Sequence, residues 1–176
     1  MRINTDVGEI EVLNEPTYKF DSVDHVRTYP FAKILSAEAA PLAIHGILLN
    51  GEPLAVFGDW GCTAVHQHSA LYLNGQVFLA IGNKVVCFCP KPFELRWQLQ
   101  VDTATCFGVH YQVEQDALIS HGELEIARFS ENGRLLWSAS GADIFSEGFS
   151  LLPRCIEAID FNRKTYHFDY ATGEGV

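Results

Sequence analysis

The sequence predicts an all-β fold built on an internal repeat with a period of about forty. Three observations predict it. Asn50-Gly51, Asn74-Gly75 and Asn132-Gly133 are each flanked by apolar runs, and Asn-Gly supplies the positive φ angles of a type I′ hairpin turn. The chain of 176 residues carries 12 Phe, 6 Tyr and 3 Trp among many Val, Ile and Thr, the residues that favour strands. Positions one period apart also match: Leu79 with Ile119, Gly82 with Gly122, Val86 with Ile126, Leu95 with Leu135, and Trp97 with Trp137.

The elements follow in order. Residues 9–13 alternate polar and apolar, as an added strand does, and are expected to pair with the C-terminal unit. The rest of residues 1–42 reads as an irregular N-terminal part. Its best helix candidate, residues 32–40, is bracketed by Pro30 and Pro41 and can only be short. Residues 43–49 pair with 54–57. A long strand over 63–73 turns into 77–81, which turns at Gly82-Asn83 into 85–89, and 93–101 follows. The pattern recurs over 106–112, 117–120, 124–129 and 134–138, with a tight turn at His121-Gly122. In a third copy Ile159, Tyr166 and Gly173 fall opposite Ile119, Ile126 and Gly133. That copy stops one residue short of the position matching Trp137, so its outer strand is expected to be truncated or supplied from elsewhere.

A fixed period of this length with several short strands per unit is the pattern of propeller-type blades. The expected architecture is one domain over residues 1–176, a propeller-like stack of three to four antiparallel, four-stranded meanders. Gly82 and Gly122 are then equivalent turns, and Trp97 and Trp137 equivalent core anchors. The run Phe129-Ser130-Glu131-Asn132-Gly133-Arg134-Leu135-Leu136-Trp137 resembles the outer-strand turn of quinoprotein-type (PQQ-like) β-propeller repeats, a small-residue turn with Gly followed four positions later by Trp. Ala171-Thr172-Gly173 resembles the start of another such turn. The first copy departs from the pattern: Pro90-Lys91-Pro92-Phe93 stands where Gly is expected, although Trp97 is kept. The resemblance covers the second half of the chain and implies a fold, not a function. In that family the cofactor sits on the axis of a ring of many blades. Sequence for about four units is too little for such a ring, and no cofactor is expected.

Composition narrows the function. Hydrophobic residues make up 48% of the chain and charged residues 19%, so it folds. The N-terminus lacks a basic start followed by an apolar run, no apolar stretch is long enough to span a bilayer, and a cytoplasmic location is expected. The five cysteines are then expected to be reduced. A net charge of −10 argues against nucleic acid and anionic membrane as partners. It fits a solubilising surface or a basic protein partner.

Few residues suggest chemistry. On a strand, Cys62, His66 and His68 would project from one face and could supply three ligands to a transition metal, or simply form a polar outer face. His121, Glu123 and Glu125 make an unusual polar cluster, readable as solvated side chains, an acidic interaction patch or an acid–base set. Cys87 and Cys89 share a strand face and read as core packing. Asp102 and Asp143, each just beyond a Trp strand, read as a structural turn device. Nucleophile elbows, phosphate loops and dinucleotide fingerprints are absent. The favoured expectation is a non-enzymatic binding module, such as an immunity-type binder of a basic partner. The alternative is a metal-dependent enzyme using Cys62, His66 and His68. Self-association is a further expectation, with two short stacks closing each other's open edges.

Overall fold

The computed structural model describes residues 1–36 and 40–176. Four sheets, the blades, stack face to face. The first contains β1 (Arg2–Thr5), β2 (Gly8–Asn14), β3 (Phe31–Ile34), β4 (Ala43–Leu49) and β5 (Glu52–Asp59), in the spatial order β1-β2-β4-β5-β3. The second is the meander β6 (Ala70–Leu73), β7 (Gln76–Ile81), β8 (Lys84–Pro90) and β9 (Phe93–Gln100). The third repeats it with β10 (Cys106–Gln112), β11 (Ala117–Gly122), β12 (Glu125–Phe129) and β13 (Leu135–Ser140). The fourth has three strands, β14 (Gly148–Leu151), β15 (Cys155–Ile159) and β16 (Thr165–Asp169), plus a single bridge from Phe168 to Gly175. The all-β propeller-like stack is as expected.

Burial explains why residues 77–81 of β7 and 85–88 of β8 are apolar at every position. A sheet between two others buries both faces, so its sequence does not alternate. In β7, Val77, Leu79 and Ile81 pack toward the first blade against Ile10, Val12, Ile47 and Phe57. Phe78 and Ala80 point the other way, onto Val109, Leu118, Ala127 and Phe129 of the third blade. A further core joins the third and fourth blades through Ile119, Ile126, Ile156, Ala158 and Phe168.

The two outer faces of the stack are finished differently. On the first blade, Ile44, Leu48 and Val56 are covered by Tyr18, Phe20 and Tyr29 from the long connection between β2 and β4. There the buried Glu15 carboxylate accepts from the Tyr29 hydroxyl at 2.6 Å and from Arg27 at 2.7 Å. The outer face of the fourth blade is polar, with the His167 ring 3.0 Å from Glu157 on the neighbouring strand. A polar outer face is what an end unit of a stacked repeat requires.

Three expectations are corrected. Residues 9–13 do not pair with the C-terminal unit; β2 lies between β1 and β4, so the N-terminal segment is built into the first blade. The tight hairpin at residues 5–8 pairs β2 with β1, and Ile10 and Val12 point at the second blade. The helix expected at 32–40 begins instead as β3, parallel to β5, because Phe31 gains ring contacts with Phe57 and Phe93 at 5.9 and 4.9 Å. Residues 37–39 of that expectation lie outside the described residues. The long strand over 63–73 is a strand only from Ala70; residues 60–69 form the connection between the first and second blades.

Candidate functional site

Two locks recur at the seams between blades and use most of the residues that the repeat singles out. The first is a tryptophan dock. The Trp97 indole N–H on β9 donates to the Glu131 carbonyl at 2.9 Å, in the hairpin turn of the next blade. The Trp137 indole on β13 donates to the Tyr170 carbonyl, also at 2.9 Å. Each ring lies over a glycine of that turn. A Cβ on Gly133 would come within 2.6 Å of Trp97, and one on Gly173 within 2.6 Å of Trp137. Both glycines have positive φ, +80° and +73°. The first blade has no such tryptophan, and the turn it faces is Pro90-Lys91-Pro92-Phe93. Phenylalanines fill that place, with Phe31 and Phe88 each in ring contact with both Phe57 and Phe93.

The second lock is an aspartate where the chain leaves a blade, at the end of β5 or just beyond β9 and β13. Asp102 is buried and accepts from the backbone N–H groups of Ala104, Leu124 and Glu125, the last two in the next blade. Burial pushes its carboxyl up, and the three N–H donors pull it back down. Asp59 holds Lys84 of the second blade at 3.0 Å, together with Ser36. Asp143 accepts from Asn162 of the fourth blade at 2.7 Å. Gly82 and Gly122 face this lock, since a Cβ there would meet the Asp59 and Asp102 carboxylates at 2.3 and 2.1 Å.

The candidate metal residues are placed differently from expectation. Cys62, His66 and His68 lie on the 60–69 connection and share no strand face. The His66 ring bonds the Phe107 carbonyl at 2.6 Å, and its other nitrogen accepts from the His68 N–H at 3.2 Å. Cys62 is exposed. Among the described residues no three His, Cys, Asp or Glu side chains gather to hold a metal ion. The His121–Glu125 cluster also divides. His121 turns into a seam and bonds the Phe145 carbonyl at 3.1 Å. Glu125 accepts from Ser138 on β13. Glu123 sits in the turn, where its backbone carbonyl accepts from Phe145.

What forms instead is a row of imidazoles. His68 stacks on His110 of β10 with centroids 4.6 Å apart, and His66 lies 6.1 Å from His68. His110 and His121 are 6.5 Å apart, and both rest on Phe149 of β14, at 4.6 and 4.5 Å. Burial, with the neighbouring imidazoles, pushes His110 down to about 3 and His121 down to about 4. His45 is fully buried, its Nδ1 has no partner, and burial pushes it down to about 4. These rings are therefore neutral at pH 7. His110, His45 and Phe149 carry no recognisable spacing, and only the stacking of blades brings them together.

The opposite side of the stack, formed by the hairpin turns, carries both signs of charge, with Lys91, Arg134 and Arg154 exposed among its acids. Asp6, Glu52, Glu114 and Asp116 are exposed there, and Glu131 is half-buried. Two depressions of about 400 and 470 Å³ flank Glu131; Tyr111, Asp116 and Arg128 line the first, and Asn74, Cys89 and Arg96 the second. Asn74 bonds the Glu131 carboxylate at 2.9 Å, joining the second and third blades on this side.

No protein-family model and no curated protein matches the chain. Among solved structures it is similar to the crystal structure of BamB from Moraxella catarrhalis, with 13% identity and a TM-score of 0.50. The match covers 78% of this chain and 44% of that one, so the chain spans less than half the length of that protein. At this identity the likeness shows the fold alone, a propeller-like stack of antiparallel sheets. No helix among the described residues is long and apolar enough to cross a membrane.

Proposed function

We propose that the chain is a non-enzymatic binding module that engages a basic protein partner through its hairpin-turn side, in the manner of an immunity-type binder. One observation carries this reading. The buried ionisable groups Asp59, Lys84 and Asp102 are used to join blades, so the excess of acids lies at the surface, with Asp116 and Glu131 together at one depression of the hairpin-turn side. A surface with this excess of negative charge steers a cationic partner and sets association rate and specificity. The net charge of −10 supports the same sign of partner. Affinity capture from a host extract at low salt, with the wild-type chain and an Asp116→Asn/Glu131→Gln variant, tests it. A basic protein held by the wild type, released by salt and lost with the variant is the expected result. Capture that is equal for both chains, or no capture at low salt, counts against the reading.

A further inference from the structure

The connection over residues 60–69 touches three blades. The His45 ring of the first blade bonds the Thr63 carbonyl at 3.3 Å. In the second blade, Gly82 N–H donates to the Thr63 hydroxyl and Ala80 N–H to the Ser69 carbonyl. In the third, Val109 N–H donates to the His68 carbonyl at 2.9 Å, and the Phe107 carbonyl accepts from the His66 ring. The underside of this strap is the imidazole row. Beside it runs a groove of about 320 Å³ between blades, lined by His68, Leu71, Val109, His110, Tyr111 and Leu151.

We propose that residues 60–69 are an acid-released latch, in which protonation of the histidine row lifts the strap from the seam between the second and third blades and opens this groove. The surroundings of the row favour release. His66 and His68 face it from the strap, His45 from β4, His110 from β10 and His121 from β11, while β14 contributes only the Phe149 ring. The charges acting on His110 and His121 are those of other histidines, with no carboxylate among them. Each proton therefore meets like charge without compensation.

The linkage has a definite sign. A histidine held near 3 in the closed seam and near its free value of about 6.5 once exposed binds protons preferentially in the open form. Closure is complete above about pH 6.5 and weakens as pH falls below it. Releasing His110 alone shifts the balance toward opening by about thirtyfold between pH 7.5 and pH 5.

Residue-resolved hydrogen exchange at pH 7.5 and pH 5, corrected for intrinsic rates, tests this. The Val109 and Ala80 amides, both bonded to the strap, should lose at least about tenfold protection at pH 5, while Ile156 and Phe168 of the fourth blade keep theirs. His110→Phe, which keeps a ring in the stack but cannot be charged, should cut that loss by at least about threefold. His110→Gln removes the same titratable ring and should do the same if the first variant does not fold. Unchanged Val109 protection in the wild type, an equal loss in all four blades, or full loss in both variants overturns the proposal.

Discussion

Gly133→Ala isolates the tryptophan dock from ordinary turn strain. Gly133 and Gly75 occupy hairpin turns with nearly the same φ, +80° and +78°. A Cβ at Gly75 meets nothing within 4 Å, whereas one at Gly133 meets the Trp97 ring at 2.6 Å. Both substitutions carry the left-handed backbone cost of roughly 1–2 kcal/mol. Only Gly133→Ala adds a collision with a ring fixed by its own hydrogen bond, and overpacking of that kind costs a further ~2 kcal/mol. Gly133→Ala should therefore cost ~3 kcal/mol and Gly75→Ala ~1 kcal/mol. Urea denaturation reads the difference as a midpoint about 1 M lower at unchanged slope. In a Trp97→Leu background the collision disappears, and Gly133→Ala should fall to ~1 kcal/mol, a coupling of ~2 kcal/mol. Equal costs for the two alanines, or no coupling to Trp97, would refute the dock as the element that joins these blades.

Further outcomes follow from the same seams. Asp102→Ala strands three backbone N–H groups and should cost ~3 kcal/mol in denaturant melts, far more than an exposed acid such as Glu94→Ala. Lys84→Met leaves Asp59 buried without its cation and should cost roughly 3–5 kcal/mol, while Asp59→Asn/Lys84→Met, which removes both charges, should recover part of that loss. His45 is held near 4 in the folded chain against about 6.5 unfolded, so the unfolded chain binds its proton more tightly. Its contribution is intact above about pH 6.5 and falls by ~2 kcal/mol between pH 7 and pH 5. Melts of His45→Phe over this range should show that much less acid sensitivity.

Sequence reading reaches the stack because the repeat is a property of local turns. Asn-Gly pairs, the Trp97 and Trp137 spacing and the Gly82 and Gly122 spacing each mark something that recurs within a blade. The polar side of β15 is also legible, since Cys155-Ile156-Glu157-Ala158 alternates where β7 does not. Contacts made across a long stretch of chain are not. The whole connection from Glu15 to Leu42 separates β2 from its partner β4, and periodicity says nothing about which neighbour a strand will choose. His66 and His68 look like ligands only if a strand runs over residues 63–73. Ser69 instead ends the connection, and the imidazoles meet His110, which belongs to the third blade and is remote from His68 in the chain. Asp102 and Asp143 read as turn devices, and they are, but the turn each one holds belongs to the following blade.

The central claim is that the second and third blades are each fastened to the next by an indole docked on a backbone carbonyl. Proton exchange of the three indole N–H groups, followed by NMR in the native protein, tests it most directly. Trp97 and Trp137 donate to carbonyls in neighbouring turns, whereas Trp60 lies on the 60–69 connection with 37% of its surface exposed. Two strongly protected indole protons, assigned to Trp97 and Trp137, and one that exchanges freely, assigned to Trp60, are the predicted result. Three indoles exchanging at similar rates would contradict the account.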